Sequence, residues 1–151
     1  ITSLCFDSKG RWIAVALQRR VEIWDISKKE RIGQHGAKGN RVCVHQCYDG
    51  GLFIGDQNGV QWLDGNNRQV IKQFKEPNAA TYAMALDPAG SSIVVAGRDK
   101  RVRVWNLQTG KCVWRFDVNS VITDVSVSIN GGIAIAKSNG EANLWLMGRE
   151  A

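Results

Sequence analysis

The sequence is poor in the features that mark membrane, helical and disulfide-stapled proteins. It has only 2 prolines in 151 residues, and no apolar run approaches the ~18 residues that a membrane-spanning helix needs. Long runs of the helix formers Glu, Lys, Leu and Ala are few, which argues against a helical bundle. The 4 cysteines form no C-x-x-C pair, so neither a redox motif nor a disulfide framework is indicated. Such cysteine usage is typical of an intracellular protein of the cytoplasm or nucleus.

The residues that are abundant favour short strands. There are 16 glycines and 6 tryptophans, with 44% hydrophobic and 23% charged residues, which is an ordinary globular balance. Glycines among many β-branched residues are typical of short strands joined by tight turns. The length fits one domain or part of a larger one. The net charge of +6 is compatible with an acidic protein partner or with nucleic acid and demands neither.

A repeat of about 40 residues runs through the chain. Four strand-like segments end in tryptophan, and they read VEIWDI, VQWLDG, VRVWNL and ANLWLM. Their tryptophans are Trp24, Trp62, Trp105 and Trp145, at spacings of 38, 43 and 40 residues. A period of ~40–45 residues with one such strand per repeat is the signature of propeller blades.

Turn residues recur in the same register. Asn58-Gly59 and Asn139-Gly140 stand between the second and third strands of two repeats, and Asn-Gly is the strongest short hairpin signal. Gln18-Arg19-Arg20 and Asp99-Lys100-Arg101 occupy the same place in the other two repeats. The pattern predicts short strands joined by hairpin turns in each of the four repeats.

On these residues the chain resembles the WD-repeat β-propeller family over essentially its whole length. The resemblance rests on Trp24-Asp25, on Trp105-Asn106, and on an Asp six residues before Trp in two repeats. His35 resembles the family's Gly-His position, with Gln34 in place of Gly. The resemblance implies an all-β propeller of four-stranded antiparallel blades, about four here in an open or partial ring. It also implies structural roles within the blades for Trp24, Trp62, Trp105, Trp145, His35, Asp56 and Asp99.

The predicted organisation is a single propeller segment over residues 1–151. Its blades cover about 1–35, 36–77, 78–117 and 118–151, and the last blade lacks its fourth strand. The chain also begins at Ile1 inside a strand pattern, without an initiator Met. Because stacked repeats need neighbours or caps at both ends, we expect a longer propeller. The remaining blades would come from the same longer chain or from a second copy.

Two groups of residues have the residue types of a metal site or a catalytic site. Cys43, His45 and Cys47 alternate along one strand and so share a face, but no fourth ligand stands at a usual zinc spacing. His35 with Asp56 has the residue types of a general base and its orienting carboxylate. The resemblance gives that pair a structural role, and no nucleophile with a matching pattern is evident. The sequence therefore predicts no metal, no cofactor and no enzymatic activity.

Basic turns and two tryptophans outside the repeat register are the candidate partner-binding residues. In a propeller, the two basic hairpin turns open on the same rim, which the family most often uses for partners. Trp114 lies on an outer strand and Trp12 opens a second strand, so either is a candidate for exposure. The binding candidates are Arg19, Arg20, Arg98, Lys100, Arg101 and Trp114.

The predicted function is a non-catalytic scaffold that binds other proteins, as a subunit of a larger complex. An RNA-binding module with a basic rim is the alternative. Binding to nucleic acid would weaken steeply with salt in proportion to the phosphates that it neutralises.

Overall fold

The protein is built from β-strands. The computed structural model describes residues 1–146, and the regular elements among them form four antiparallel sheets of consecutive strands. This confirms the predicted all-β fold of four-stranded antiparallel sheets, with three strands described in the last sheet. Residues 147–151, which the sequence assigned to the end of the fourth blade, lie outside the described residues. In residues 1–146 no helix is long and apolar enough to cross a membrane.

The chain divides into two compact units, Ile1–Thr81 and the residues from Tyr82 onwards. The first sheet consists of β1 (Ser3–Phe6), β2 (Trp12–Leu17), β3 (Arg20–Asp25) and β4 (Glu30–Gly36). The second sheet consists of β5 (Cys43–Gln46), β6 (Leu52–Asp56), β7 (Gly59–Leu63) and β8 (Val70–Phe74). Both sheets belong to the first unit, and each strand pairs with its neighbour in the chain.

The second unit repeats this plan. The third sheet consists of β9 (Thr81–Leu86), β10 (Ser92–Gly97), β11 (Arg101–Asn106) and β12 (Cys112–Asp117). The fourth sheet consists of β13 (Ile122–Val127), β14 (Gly132–Lys137) and β15 (Ala142–Leu146). Strands β11 and β12 slip register between Val104 and Trp105, and β3 and β4 slip at the equivalent place, between Ile23 and Trp24. Strands β7 and β8 also slip there, between Trp62 and Leu63, so the same irregularity in three sheets marks the structural repeat.

The core of the first unit lies between its two sheets. Strand β2 alternates strictly between buried and half-buried residues, because successive side chains of a strand point to opposite faces. Its buried positions Trp12, Ala14 and Ala16 join Leu52 and Ile54 of the second sheet in one apolar cluster. Trp12 is only 4% exposed, so the prediction that it is available to a partner is wrong. Its alternation with half-buried residues explains why it points inward.

The core of the second unit is built in the same way from the third and fourth sheets. Val94 and Val104 pack with Ile133 and Ile135 in a second buried cluster. Trp114, on the outer strand β12, is partly buried against this cluster. Each core holds together the two sheets of its own unit. The turns at the ends of the strands lie outside these cores.

Some turns adopt left-handed backbone conformations. Gly59 opens β7 with φ of 115°, and a Cβ at that position would come within 2.3 Å of the Phe74 carbonyl oxygen. Only glycine fits there. Arg19 and Lys100 have φ of 63° and 61°, although side chains with a Cβ disfavour this region.

Candidate functional site

Trp24 of the first sheet lies on the face away from the core of its unit. It pairs opposite Ile13, whereas the neighbouring Ile23 pairs opposite Ala14 inside the core. Trp24 is 37% exposed, and its indole N–H donates to Glu22 Oε2 at 3.2 Å. Trp24 is therefore not a core residue of the first unit. The described residues cover its face of the sheet less completely than the core covers Ile23.

Trp62 differs from the other repeat tryptophans by one residue. The second residue paired beyond the hairpin is Val21 in the first sheet and Val60 in the second. Trp24 stands three residues after Val21, but Trp62 stands two residues after Val60. Leu63 occupies the position equivalent to Trp24, and it is fully buried in the core of the first unit.

The one-residue offset turns Trp62 to the opposite face. Trp62 stacks on Phe53, with ring centroids 5.4 Å apart, away from the core that holds Leu63. Trp145, in the corresponding sheet of the second unit, instead pairs opposite Ile133 on the core side. The four tryptophans are thus not equivalent, contrary to the sequence-based expectation. A side-chain period of two explains why a shift of one residue exchanges the faces.

Trp105 and Trp145 keep the register of Trp24 but differ in burial. Trp105 is 9% exposed and Trp145 is 38% exposed. Trp145 packs on Phe116 at a centroid distance of 4.6 Å. Of the four repeat tryptophans, Trp105 is the most deeply buried.

The predicted pair of His35 and Asp56 is not assembled. His35 Nε2 bonds to Gln61 Oε1 at 2.9 Å. Asp56 is 1% exposed, and its two oxygens accept backbone N–H groups of Lys38 at 2.8 Å and Asn58 at 2.7 Å. Asp56 therefore ties the loop after β4 to the hairpin between β6 and β7, and it presents no free carboxylate for proton transfer.

Asp99 holds a buried arginine. Arg103 is 3% exposed, and its guanidinium donates to both carboxylate oxygens of Asp99, with the Nη1–Oδ1 distance 3.1 Å. Burial by itself raises the pKa of Asp99, but the hydrogen bond and positive charge of Arg103 bring that pKa below its usual value. Asp99 thus has a structural role through an ion pair with Arg103. The sequence did not indicate this pair.

The cysteines are free thiols. Burial raises the pKa of Cys43 to about 12 and that of Cys47 to about 11, so both remain protonated at neutral pH. His45 Nδ1 bonds to the Gln46 carbonyl oxygen at 2.9 Å. Within residues 1–146, no three His, Cys, Asp or Glu side chains are grouped as they would be to hold a metal ion.

The predicted binding residues of the first unit lie in one turn but differ in pairing. Arg20 Nε donates to Glu22 Oε1 at 2.9 Å, and Arg31 Nη1 also reaches Glu22. Arg19 is exposed, and it has no ion-pair partner among the described residues. Arg19 is therefore the better binding candidate of the two.

The predicted binding residues of the second unit divide in the same way. Arg101 Nε contacts Asp117 Oδ1 at 2.6 Å. Arg98 and Lys100 are exposed and form no ion pair with any residue of the described part of the chain. Trp114 packs on Phe116 at 4.9 Å and is half-buried, so only part of its ring is accessible.

Three basic residues that were not predicted lie on loops at the same end of the strands as Arg19. Lys38 and Arg41 belong to the loop between β4 and β5, and Lys75 follows β8. In a sheet of consecutive antiparallel strands, every second connection lies at the same end of the strands. Applying this rule to the predicted turns would have placed these residues with Arg19. We name this end of the first unit, residues 18–20, 36–42, 57–59 and 75–80, the hairpin rim.

The family comparison agrees with this architecture. The family described as "WD domain, G-beta repeat" matches residues 1–25 and 68–106, which include β1 to β3 and β8 to β11. These two segments of the chain resemble WD repeats. The second sheet, of which only β8 lies in a matched segment, and the fourth sheet, which is unmatched, have the same order of consecutive strands as the first and third sheets.

Curated relatives are longer WD-repeat proteins. The chain is 28% identical over 134 residues to Mitochondrial division protein 1 of Candida glabrata, covering 79% of this chain and 19% of that protein. It is 25% identical over 166 aligned residues to the protein of the same name in Saccharomyces cerevisiae, covering 92% of this chain and 23% of that protein. U3 small nucleolar RNA-associated protein 21 of Saccharomyces cerevisiae is 26% identical over 136 residues, with 88% of this chain and 14% of that protein covered. The chain thus spans less than a quarter of the length of these relatives.

Proposed function

We propose that the protein is a non-catalytic scaffold that binds other proteins within a multi-subunit complex. The observation that carries this proposal is the set of exposed, unpaired basic side chains on short turns that the sheets hold in place. Arg19 belongs to the first unit, and Arg98 and Lys100 belong to the second. Because the turns are already ordered, binding costs little conformational entropy, and specificity resides in a few side chains.

The internal hydrogen bonds support a role without catalysis. Asp56 is occupied by two backbone N–H groups, Asp99 by the Arg103 guanidinium, and His35 by Gln61. Groups with these partners stabilise loops and strands. Proton transfer requires a group within reach of a substrate atom. The three side chains instead bond to groups of the protein itself, which supports a structural role.

We also propose that residues 1–151 are one segment of a longer propeller, with blades near 1–35, 36–77, 78–117 and 118–151. The face of the first sheet that carries Trp24 also exposes Leu4 by 52% and Phe6 by 57%, and such a face is suited to cover by another blade. Greater length in the relatives supports this. Further blades come from the longer chain or from a second copy.

A reducing compartment, the cytoplasm or nucleus, fits this proposal. The four cysteines are unpaired in the structure, as is usual for intracellular proteins.

The scaffold role is tested by purifying the tagged protein from the cells that produce it, with and without nuclease. We expect a reproducible set of co-purifying proteins that survives nuclease treatment. Recovery of RNA with no protein above the untagged control, or loss of all the proteins on nuclease treatment, would contradict the scaffold role. That second result would favour the RNA-binding alternative, for which the name of the small nucleolar RNA-associated relative is the supporting observation.

Lys100 is expected to reduce the stability of the protein, because its side chain occupies a position with a left-handed backbone. Its left-handed backbone, φ of 61°, corresponds to that of Gly140 in the equivalent turn, φ of 85°. Replacing Lys100→Gly should raise the free energy of unfolding by about 1 kcal/mol, since an L side chain costs roughly that much in this conformation. Urea denaturation measures the effect.

A matched substitution separates strain from charge. Gly140→Lys should destabilise by a similar amount, because it introduces the strain that Lys100→Gly removes. If Lys100→Gly lowers stability, its side chain has a structural role, and it is then not a residue kept for binding.

A further inference from the structure

The two ends of the first unit differ in charge. The opposite rim comprises residues 7–11, 25–30, 47–51 and 64–69, at the other ends of the strands that form the hairpin rim. It carries as many acidic as basic side chains, namely Asp7, Asp25, Glu30, Asp49 and Asp64 with Lys9, Arg11, Lys28, Lys29 and Arg68. Several are already paired, as in the 2.7 Å contact of Arg11 with Asp7. The opposite rim is therefore close to electrically neutral.

The hairpin rim is basic. Its basic side chains are Arg19, Arg20, Lys38, Arg41 and Lys75, and its acidic side chain is Glu76, with Asp56 at the adjoining end of β6. Asp56 is buried and bonded to backbone N–H groups, so it does not neutralise the surface through an ion pair. Arg19, Lys38 and Lys75 are exposed and have no ion-pair partner among the described residues. Unpaired cations on one end of a unit attract an acidic partner.

Backbone contacts join the loops that carry these three cations. The Arg19 carbonyl accepts the Ala37 N–H at 2.9 Å, and the Lys38 carbonyl accepts the Gln57 N–H at 3.0 Å. Lys38 N–H in turn donates to Asp56. The cations therefore project from adjoining loops whose backbones are fixed before a partner arrives, which reduces the entropic cost of binding.

The Gly59 turn brings Lys75 into the same set. A Cβ on Gly59 would lie 3.3 Å from the Lys75 Cα, and Gln57 of that turn is bonded to Lys38. Arg19, Lys38 and Lys75 thus stand on three of the four loops of the hairpin rim, and the turn of Gln57 and Gly59 joins the loops of Lys38 and Lys75.

The chemistry of the hairpin rim favours carboxylates over nucleic acid. Proteins that bind single-stranded nucleic acid combine basic residues with aromatic rings that stack on the bases. The large aromatic side chains exposed within residues 1–81 are Phe6, Trp24 and Tyr48. All three lie at or beside the opposite rim, so the basic end offers cations without a stacking surface.

We propose that the hairpin rim binds an acidic peptide segment of a partner protein through Arg19, Lys38 and Lys75. This deepens the proposed scaffold function, on which it rests, by naming the surface and the chemistry of the partner. Carboxylates of the segment pair with the guanidinium and ammonium groups at spacings set by the three loops. Binding weakens with added salt because the pairs form at an exposed surface.

The test measures fluorescence anisotropy of a labelled Glu-Gly repeat peptide against a Gln-Gly repeat of the same length. The rim variant carries Arg19→Gln, Lys38→Gln and Lys75→Gln. We expect the protein to bind the Glu peptide alone and the rim variant to bind it about tenfold more weakly, from three exposed ion pairs.

The control variant removes the same charge from the opposite rim through Lys9→Gln, Lys28→Gln and Lys29→Gln. Lys29 matches Arg19 in its left-handed backbone, with φ of 57°. The control variant should bind the Glu peptide within about twofold of the unmodified protein, which is below the contribution of one exposed pair. Circular dichroism confirms that both variants fold.

Three results would overturn the inference. The first is no binding of the Glu peptide, and the second is equally weakened binding of that peptide by both variants. The third is that a single-stranded RNA of the same charge binds more tightly than the Glu peptide and that the rim variant loses this RNA binding. The inference and the scaffold function fail separately. If the proteins that co-purify with the unmodified protein also co-purify with the rim variant, the scaffold stands and the acidic-peptide site does not.

Discussion

Asp99→Ala is expected to lower the free energy of unfolding by about 3 kcal/mol, because it removes the carboxylate that accepts two hydrogen bonds from the buried Arg103 guanidinium. Arg103 is 3% exposed in β11, so water cannot replace the lost partner. For a chain of this size the loss corresponds to a fall of roughly 6–12 °C in the melting temperature. Thermal unfolding followed by circular dichroism measures it.

The double variant provides the control. Arg103→Met combined with Asp99→Ala removes both charges and should recover most of the loss, since buried ion pairs are often replaced by apolar groups at little cost. A double variant as unstable as Asp99→Ala alone would show that the effect comes from the turn and not from the ion pair.

The same pair makes stability depend on pH. Arg103 keeps the pKa of Asp99 below its usual value despite burial. The stabilisation is therefore fully present above the unfolded-state pKa of ~3.9, and it is lost as the pH falls through the lower folded-state pKa. The difference in stability between the unmodified protein and Asp99→Ala should shrink below about pH 4.

Gly59→Ala should destabilise the protein by about 3 kcal/mol, from backbone strain and a close contact together. The φ of Gly59 is 115°, and the new Cβ would approach the Phe74 carbonyl oxygen to 2.3 Å. That oxygen belongs to the backbone at the end of β8 and has little freedom to move. Urea denaturation of the variant gives the change in free energy.

Two other glycines separate the contributions of strain and contact. Gly10 has φ of 67° with nothing within 4 Å of its Cβ position, so Gly10→Ala tests strain alone. Gly36 also has open space there, without a left-handed φ, and Gly36→Ala should be neutral or slightly stabilising. Equal losses for all three variants would contradict the geometry assigned to the Gly59 turn.

The strand plan was predictable because it depends on local signals. Alternation within β2 and the Asn58-Gly59 turn are readable from neighbouring residues. The antiparallel sheets follow from such hairpins once they recur at one period.

The positions of the tryptophans were less predictable. Trp62 departs from its equivalents by one residue, and a period near 40 does not distinguish such offsets. Only the pairing of Leu63 with Leu52 shows which residue faces the core. The exposures of Trp24 and Trp145 also depend on what covers their faces, which local sequence does not encode.

The proposed binding surface was only partly predictable from the sequence. Sequence identified Arg19 and Lys100 from their turns, but it did not show that Arg101 is paired with Asp117. Lys38 and Lys75 were missed because they come from loops distant in sequence from Arg19. Their grouping depends on contacts such as the bond between Gln57 and Lys38, which form only in the folded chain.

The scaffold account is tested most directly by mapping where partners touch the protein. A carbodiimide joins lysine amines to carboxylates in direct contact, and mass spectrometry identifies the joined residues. In complexes purified from cells, we expect cross-links from partner Asp and Glu residues to Lys38, Lys75 and Lys100. Cross-links confined to Lys9, Lys28 and Lys29, or none to any partner protein, would contradict the account.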